Sequence, residues 1–552
     1  MRFFQPIRFC ALAMLVSLGL PPTARSADRD QIAQEILLRS GDIGVNRPVH
    51  VENRPLIEKA ILDFYEARSW RPIWFASSDR DHKRLKGALR ILADAGREGL
   101  TPSEYVLSFT PEMLDELDDS TPAATLAAMD MAATAQVLTY ARDVSVGRRD
   151  PNRTDPNVFL PVRPFDLTAF LQRLADPQAE VAGLLTRIAP EHPEYQALKA
   201  ALPRYREMAE KPVAPVLAEG PALKPNDSGA RVEALIQRLV YWEFLAAEQA
   251  DASSITPEVA GALRRFQRQN GLDDDAVVGE ATRTALNRTA ADRLQQIALN
   301  MERWRWLPED LGKHHVRVNI AGFETMTVEF GKVTNRIRSV VGKNYRMTPS
   351  FSDRILYIEV NPTWTVPPKI AAKDLLPKIK ADPDFLKKGR YEVYSGWTAD
   401  AKPVPIDSID WSQLSATNFP YRLRQSADLN NALGEVKIMF PNRFDVYLHD
   451  SPARSLYQKV VRTFSSGCVR LEKPFELVTW LMARGGGPGP DKIDEIRRSR
   501  ATTVVRLGTP IPVHLIYATA WADEDGTISF REDVYERDAL LVRALAGPGG
   551  PI

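Results

Sequence analysis

Residues 444–450 read Phe444-Asp445-Val446-Tyr447-Leu448-His449-Asp450, and residues 465–471 read Ser465-Ser466-Gly467-Cys468-Val469-Arg470-Leu471. The first run alternates apolar and polar side chains, the period of a half-buried strand. Alternation sends Phe444, Val446 and Leu448 to one face, and Asp445, Tyr447 and His449 to the other. The apolar set is expected to face a core, so an imidazole and a phenol emerge together, about 7 Å apart along the strand. Asp450 points away from His449 by the same rule and is not expected to complete a triad. Gly467 permits a backbone conformation that a side chain forbids, bringing amides near the sulfur. A thiol needs little help as a nucleophile near neutral pH, and a neighbouring imidazole can form the reactive thiolate pair.

This pattern resembles the catalytic motif of the L,D-transpeptidase (YkuD) family, a histidine followed by Ser-x-Gly-Cys-x-Arg. Many members carry histidine where this chain has Ser466, which leaves His449 as the only nearby candidate base. The wider stretches Val341-Gly342-Lys343, Thr348-Pro349, Asn361-Pro362-Thr363-Trp364-Thr365-Val366-Pro367 and 513–538 resemble the family's large subclass. The resemblance implies a multidomain α+β protein: a helical scaffold, a three-helix peptidoglycan-binding bundle, and a mainly-β catalytic domain with an inserted capping subdomain.

It also implies a mechanism. Cys468 is the nucleophile and His449 the general acid/base. The thiolate attacks the carbonyl joining diaminopimelate to the terminal D-Ala of a tetrapeptide stem. A thioester forms, and an amine from a neighbouring stem resolves it into a 3→3 cross-link. Gly467 and Cys468 supply backbone oxyanion donors. A backbone carbonyl of Ser465 or Ser466 orients the histidine. Arg470 either binds a substrate carboxylate or braces the loop. Tyr447 and Trp364 either line the substrate cleft or pack in the core. Peptidoglycan stem peptides are the expected substrates, cell-wall synthases are candidate partners, and carbapenems are expected to acylate Cys468. A protein lysine or water as acceptor, or a wall-binding protein without catalysis, are the competing readings.

Working outward, short β-branched and aromatic runs at 315–320, 326–330, 355–360, 436–440 and 511–517 are expected strands. The catalytic domain is expected at 312–545, with an irregular, Pro-rich insertion at 371–432 as the cap. Upstream, 291–307 forms an amphipathic linker helix. The unit at 222–290 has three helix signals: Ser228-Gly229, Thr256-Pro257 and Gly279. Leu223, Gly229, Val232, Leu235, Leu239, Phe266-Gln267, Gly271-Leu272, Asp275, Gly279 and Thr282 resemble the peptidoglycan-binding module, with Ala276 where glycine is usual. The module either holds cell wall or is a spacer. Residues 209–221 are a Pro-rich linker. Residues 28–208 read as mostly helical scaffold, with Trp70, Trp74 and Phe75 expected in its core.

Arg2 and Arg8, the apolar run 9–20 and Ala24-Arg25-Ser26-Ala27 have the order of a secretory signal, with cleavage expected after Ser26. Twelve apolar residues rise about 18 Å as a helix, short of the ~30 Å hydrocarbon layer. A periplasmic protein with no transmembrane segment in the mature chain is therefore expected. Cleavage removes Cys10 and leaves Cys468 as the only thiol, without a disulfide partner. Across 552 residues the net charge is +1, which excludes nucleic-acid binding by bulk charge. No Cys, His or Asp cluster has ligand spacing, so neither metal nor other cofactor is expected.

Overall fold

The computed structural model describes residues 29–40, 54–76 and 79–546. The expected signal segment 1–26, with Cys10, lies outside the described residues. Among the described residues, no helix is long and apolar enough to cross a membrane.

The chain forms two compact units. The first holds the described residues of 1–93, 103–140 and 166–186. Helices Arg54–Ala67, Asp79–Ala93, Leu167–Ala175 and Val181–Thr186 pack there with most of Ala123–Val146. Leu85, Leu89 and Leu92 are buried, as helical spacing predicts for one face. Trp74 and Phe75 lie in the core and Trp70 is half-buried. The buried Asp130 carboxylate receives the N–H groups of Ile73 (3.0 Å) and Trp74 (2.7 Å) and the Tyr65 hydroxyl (2.5 Å). Those bonds fix the aromatic loop to the long helix.

The second unit holds 94–102, 141–165 and the described residues from 187 onward. Compactness therefore does not follow the expected scaffold boundary of 28–208. Part of the reason is a two-residue strand, Val158–Phe159, which pairs with Ser350–Phe351 of the β domain. Two residues are too few to show a period, so the sequence reads as loop.

The three-helix bundle comprises Ala230–Tyr241, Pro257–Gln269 and Glu280–Asn287. Thr256 caps the second helix by accepting the Val259 N–H. Ala276, where glycine is usual, keeps the left-handed backbone (φ 61°), and its N–H donates to Gln267 Oε1 at 2.9 Å. The turn is thus preserved at the cost of alanine strain. Helix Ala290–Trp306 follows.

Besides Val158–Phe159 and Thr463–Ser465, the sheet of the β domain has eight strands among the described residues: β1 (His314–Asn319), β2 (Glu324–Glu329), β3 (Lys332–Gly342), β4 (Ser350–Val360), β5 (Val436–Met439), β6 (Leu448–His449), β7 (Val469–Leu471) and β8 (Thr503–Ile516). They run in the order β4-β8-β1-β2-β3-β7-β6-β5, and β5 pairs back to β4, closing the sheet on itself. Val316, Ile358, Ile438, Leu448, Val469, Leu471 and Val513 fill one continuous core with helix Pro474–Gly485. Alternation explains this, since each strand commits every second residue to that face.

The segment expected to be irregular is a small subdomain with its own core. Strands Trp364–Thr365, Tyr391–Tyr394 and Arg422–Gln425 form a sheet, and Val366, Ile379, Leu386, Val393 and Leu423 are buried beneath it. It begins at about Trp364, earlier than the expected 371, because Trp364 pairs with Gln425.

Candidate active site

Strand register places the chemistry. Strands β6 and β7 are parallel, with Leu448 opposite Val469 and His449 opposite Arg470. Directly paired residues share a face. Leu448 and Val469 are fully buried in the core. The opposite face therefore carries His449 and Arg470 and, two residues back on the same alternation, Tyr447 and Cys468. On the other side of β6, Lys437 pairs with His449 and joins that face. Regular strand covers only Leu448–His449 of the expected 444–449, because Asp445 adopts a left-handed conformation (φ 55°). Val446 and Leu448 still face the core, as expected.

The loop holding the thiol is braced from within and from behind. Ser465 Oγ donates to the Cys468 carbonyl (2.5 Å) and accepts the Gly467 N–H (3.1 Å). Gly467 has φ 121°, which disfavours any other residue. Thr348 Oγ1 donates to the Gly467 carbonyl (2.7 Å) and accepts the Gly342 N–H (2.9 Å). The Thr348 carbonyl accepts in turn from Arg537, which pairs with Asp155 at 3.2 Å. Thr348 and Arg537 carry no signal in the motif itself, and Thr348-Pro349 stood out only by resemblance.

Two expectations change here. Gly467 was expected as an oxyanion donor, but its N–H is already held by Ser465 Oγ. The Cys468 N–H is the one left without an acceptor among the described residues. Ser465 or Ser466 was expected to orient the histidine through a carbonyl. Instead, His449 Nδ1 lies 2.5 Å from the carbonyl of Asp450. The Ser465 carbonyl is taken by the Lys343 N–H. Asp450's side chain accepts from the Glu435 N–H (2.9 Å) and Arg454 (2.7 Å), away from the imidazole.

With Nδ1–H donating to a carbonyl, Nε2 carries the lone pair, which is the tautomer a base needs. Burial lowers the His449 pKa to about 3, helped by the nearby Arg470 and Lys437 charges. Burial likewise pushes the Cys468 thiol above its ordinary value, opposed by the Tyr447 N–H and phenol and by Lys437 and Arg470. At neutral pH the site holds a thiol and a neutral imidazole. The thiol remains half-buried rather than sealed, and its Sγ donates to the Asp445 carbonyl at 3.6 Å.

Tyr447 joins the parts. Its ring meets the His449 ring edge-on at 5.6 Å, Lys437 Nζ lies 4.4 Å from its centroid, and its phenol is close enough to Cys468 and Trp364 for both to influence its ionisation. Burial, then the adjacent sulfur, raises its pKa well above the phenol range. Trp364 is half-buried at the base of the inserted subdomain. Arg470 is half-buried, its side chain makes no hydrogen bond or ion pair among the described residues, and its buried Nε has no partner. It does not brace the loop by hydrogen bonding. Lys437 pairs with Glu359 at 3.4 Å, and it carries no signal in the sequence because a single strand lysine reads as a solvated face. Among the described residues no three His, Cys, Asp or Glu converge as metal ligands.

Residues 313–513 match the family model for the L,D-transpeptidase catalytic domain, YkuD. Residues 313–513 are a YkuD L,D-transpeptidase catalytic domain. Residues 228–286 match the "Putative peptidoglycan binding domain" and 59–202 the scaffold domain, so all three modules are present. A "Putative L,D-transpeptidase" from Haemophilus influenzae is 35% identical over 247 residues, covering 45% of this chain and 49% of the relative. The chain thus spans about half the length of that curated relative. Among solved structures, the L,D-transpeptidase from Mycobacterium smegmatis aligns at 13% identity over 37% of this chain and 58% of its own, with a TM-score of 0.18. That from Xylanimonas cellulosilytica aligns at 17% identity over 55% of this chain and 100% of its own, with a TM-score of 0.14. At such scores the superpositions add nothing to the YkuD assignment.

Proposed function

We propose that this chain forms 3→3 cross-links in peptidoglycan through a thioester on Cys468. The observation that carries the reading is the shared sheet face, where a solvent-reachable thiol stands with His449, Tyr447 and Arg470. His449 Nε2 takes the thiol proton as sulfur attacks the diaminopimelate carbonyl, then delivers it to the departing D-Ala amine. The Cys468 N–H faces the developing oxyanion, a donor worth on the order of 3 kcal/mol when well placed. The unpaired Arg470 guanidinium receives a stem carboxylate, which supports the binding alternative over the bracing one. The amine of a second stem attacks the thioester, restores the thiol and closes the cross-link. Tyr447 and Trp364 form the cleft wall. The peptidoglycan-binding module and the catalytic class together support an extracytoplasmic, periplasmic location for the protein.

Incubation with a disaccharide-tetrapeptide, read by mass spectrometry, tests this. Loss of D-Ala and appearance of a 3→3 dimer are expected, both abolished by Cys468→Ala. D-Ala release without dimer would transfer the reading to hydrolysis. Transfer only to an added lysine peptide would point to protein anchoring, and no turnover would leave a wall-binding protein.

A further inference from the structure

Arg346 ends the short turn Asn344–Arg346, against the nucleophile loop. Its Nη1 donates to Ser466 Oγ at 2.9 Å, two residues from Cys468. The same guanidinium grips the Asp374 carboxylate through both terminal nitrogens, with Nη2–Oδ1 at 3.2 Å. Asp374 belongs to the inserted subdomain and sits in a π-helical segment, Ala371–Leu375. Such turns are rare and concentrate at functional sites. The other ion pairs of the insertion among the described residues close within it: Lys387–Asp407, Lys388–Asp382, Arg390–Asp428 and Arg424–Glu392. Among the described residues Arg346–Asp374 is the one ion pair joining the insertion to the catalytic sheet.

The pair is reachable. The Arg346 and Asp374 side chains keep 21% and 38% of their full exposure. Ser466 Oγ accepts from Arg346, and its own hydroxyl proton has no acceptor among the described residues. Tyr345, 72% exposed, carries the Lys343 ammonium and the Arg346 guanidinium over its ring, at 5.6 and 5.7 Å. One guanidinium thus joins a hydroxyl of the nucleophile loop to a carboxylate, and that carboxylate is the cap's own. A guanidinium fork suits a carboxylate from any source, and half-exposed pairs exchange readily.

We propose that Arg346 and Ser466 form a carboxylate subsite of the cleft, which Asp374 occupies in the resting chain until a carboxylate of the donor stem displaces it. Displacement frees the insertion from the nucleophile loop, so binding and cap release are one event. The inference rests on the transpeptidase reading, which supplies a substrate bearing carboxylates.

The test uses the full chain and two alkylating probes of like shape, iodoacetate and iodoacetamide, followed by intact mass. In both reactions the Cys468 thiolate displaces iodide. Asp374→Asn is expected to raise the iodoacetate-to-iodoacetamide rate ratio about threefold. Arg346→Gln is expected to lower it below wild type, with Arg346→Lys between. Asp382→Asn, whose carboxylate serves Lys388 and the Asp384 N–H within the insertion, should leave the ratio unchanged. An unaltered ratio in both Asp374→Asn and Arg346→Gln overturns the subsite, and faster reaction with both probes equally makes Asp374 a steric latch instead. Because the probes need only a thiol, the ratio still decides the matter if the wild type releases no D-Ala. Where release is seen, Asp374→Asn should lower KM for the tetrapeptide and Arg346→Gln should raise it.

Discussion

Burial sets the resting chemistry of Cys468 and His449 in opposite senses, and both groups end neutral at pH 7. The thiol is pushed up and the imidazole down to about 3. A preformed thiolate–imidazolium pair would alkylate at a rate already level below pH 7. Here the iodoacetamide rate is expected to climb about tenfold per pH unit from 7 towards 9, with no inflection near 6.5. A plateau below pH 7 would show the ion pair and refute the neutral one. Asp450 offers a second check at this scale. Its carbonyl holds the imidazole while its carboxylate holds Glu435 N–H and Arg454. Asp450→Asn keeps the carbonyl, so it should cost about 1–3 kcal/mol of stability by the urea midpoint yet leave the alkylation pH profile in place. A changed profile would make the side chain a triad member after all. The two reactive residues were legible in the sequence because a thiol and an imidazole are distinctive types at a distinctive spacing. The orienting carbonyl was not, since every residue has one and only the folded turn selects it.

The thiol-bearing loop lies between strands that meet only through long-range pairing, and Thr348 is the pin between them. Its hydroxyl serves Gly467 on one side and Gly342, the end of β3, on the other. Thr348→Val keeps the shape and deletes both bonds, leaving two buried backbone groups unpaired. A loss of about 2–4 kcal/mol in stability is expected. The D-Ala release rate should also fall tenfold or more as the loop loses its set position. Stability lost with catalysis intact would reduce Thr348 to scaffolding. Element types were readable where a period ran for several residues, as in the helices around Leu85 and Leu263 and in strand β8. They are hidden where tertiary pairing overrides a weak local pattern. Asp445's left-handed residue shortens the strand before His449. The cap reads as loop because its strands have two to four residues each and take their order from Leu423 and Val393 meeting in a private core.

The whole second unit buries imidazoles beyond the active site, and that makes the molecule acid-sensitive in a definite window. His315 is lowered to about 3 and His514 to about 4, chiefly by burial, and His192 is lowered as well. The His315 and His514 rings lie 5.4 Å apart, and each ring accepts or donates to a nearby group: His315 to the Gly312 carbonyl, His514 to Ser352 and the Leu311 carbonyl. An unfolded histidine titrates near 6.5, so between 6.5 and the depressed folded value the unfolded chain binds protons that the folded chain refuses. Stability is therefore full above pH 6.5 and is lost as pH falls towards 4. The slope is up to about 1.4 kcal/mol per pH unit for each of His315, His449 and His514, and His192 adds in the same direction. Asp130 in the other unit pulls oppositely. Burial raises its carboxyl to about 6, so the folded scaffold binds a proton early and gains stability as pH falls from 6 to about 4. Urea midpoints followed by probes in each unit, at pH 7.5 down to 4.5, should show the second unit weakening steeply while the first holds or strengthens. His514→Gln should flatten the second unit's dependence by up to one proton. Parallel curves for the two units, or no slope below pH 6.5, would show that these imidazoles are already solvated in the folded chain.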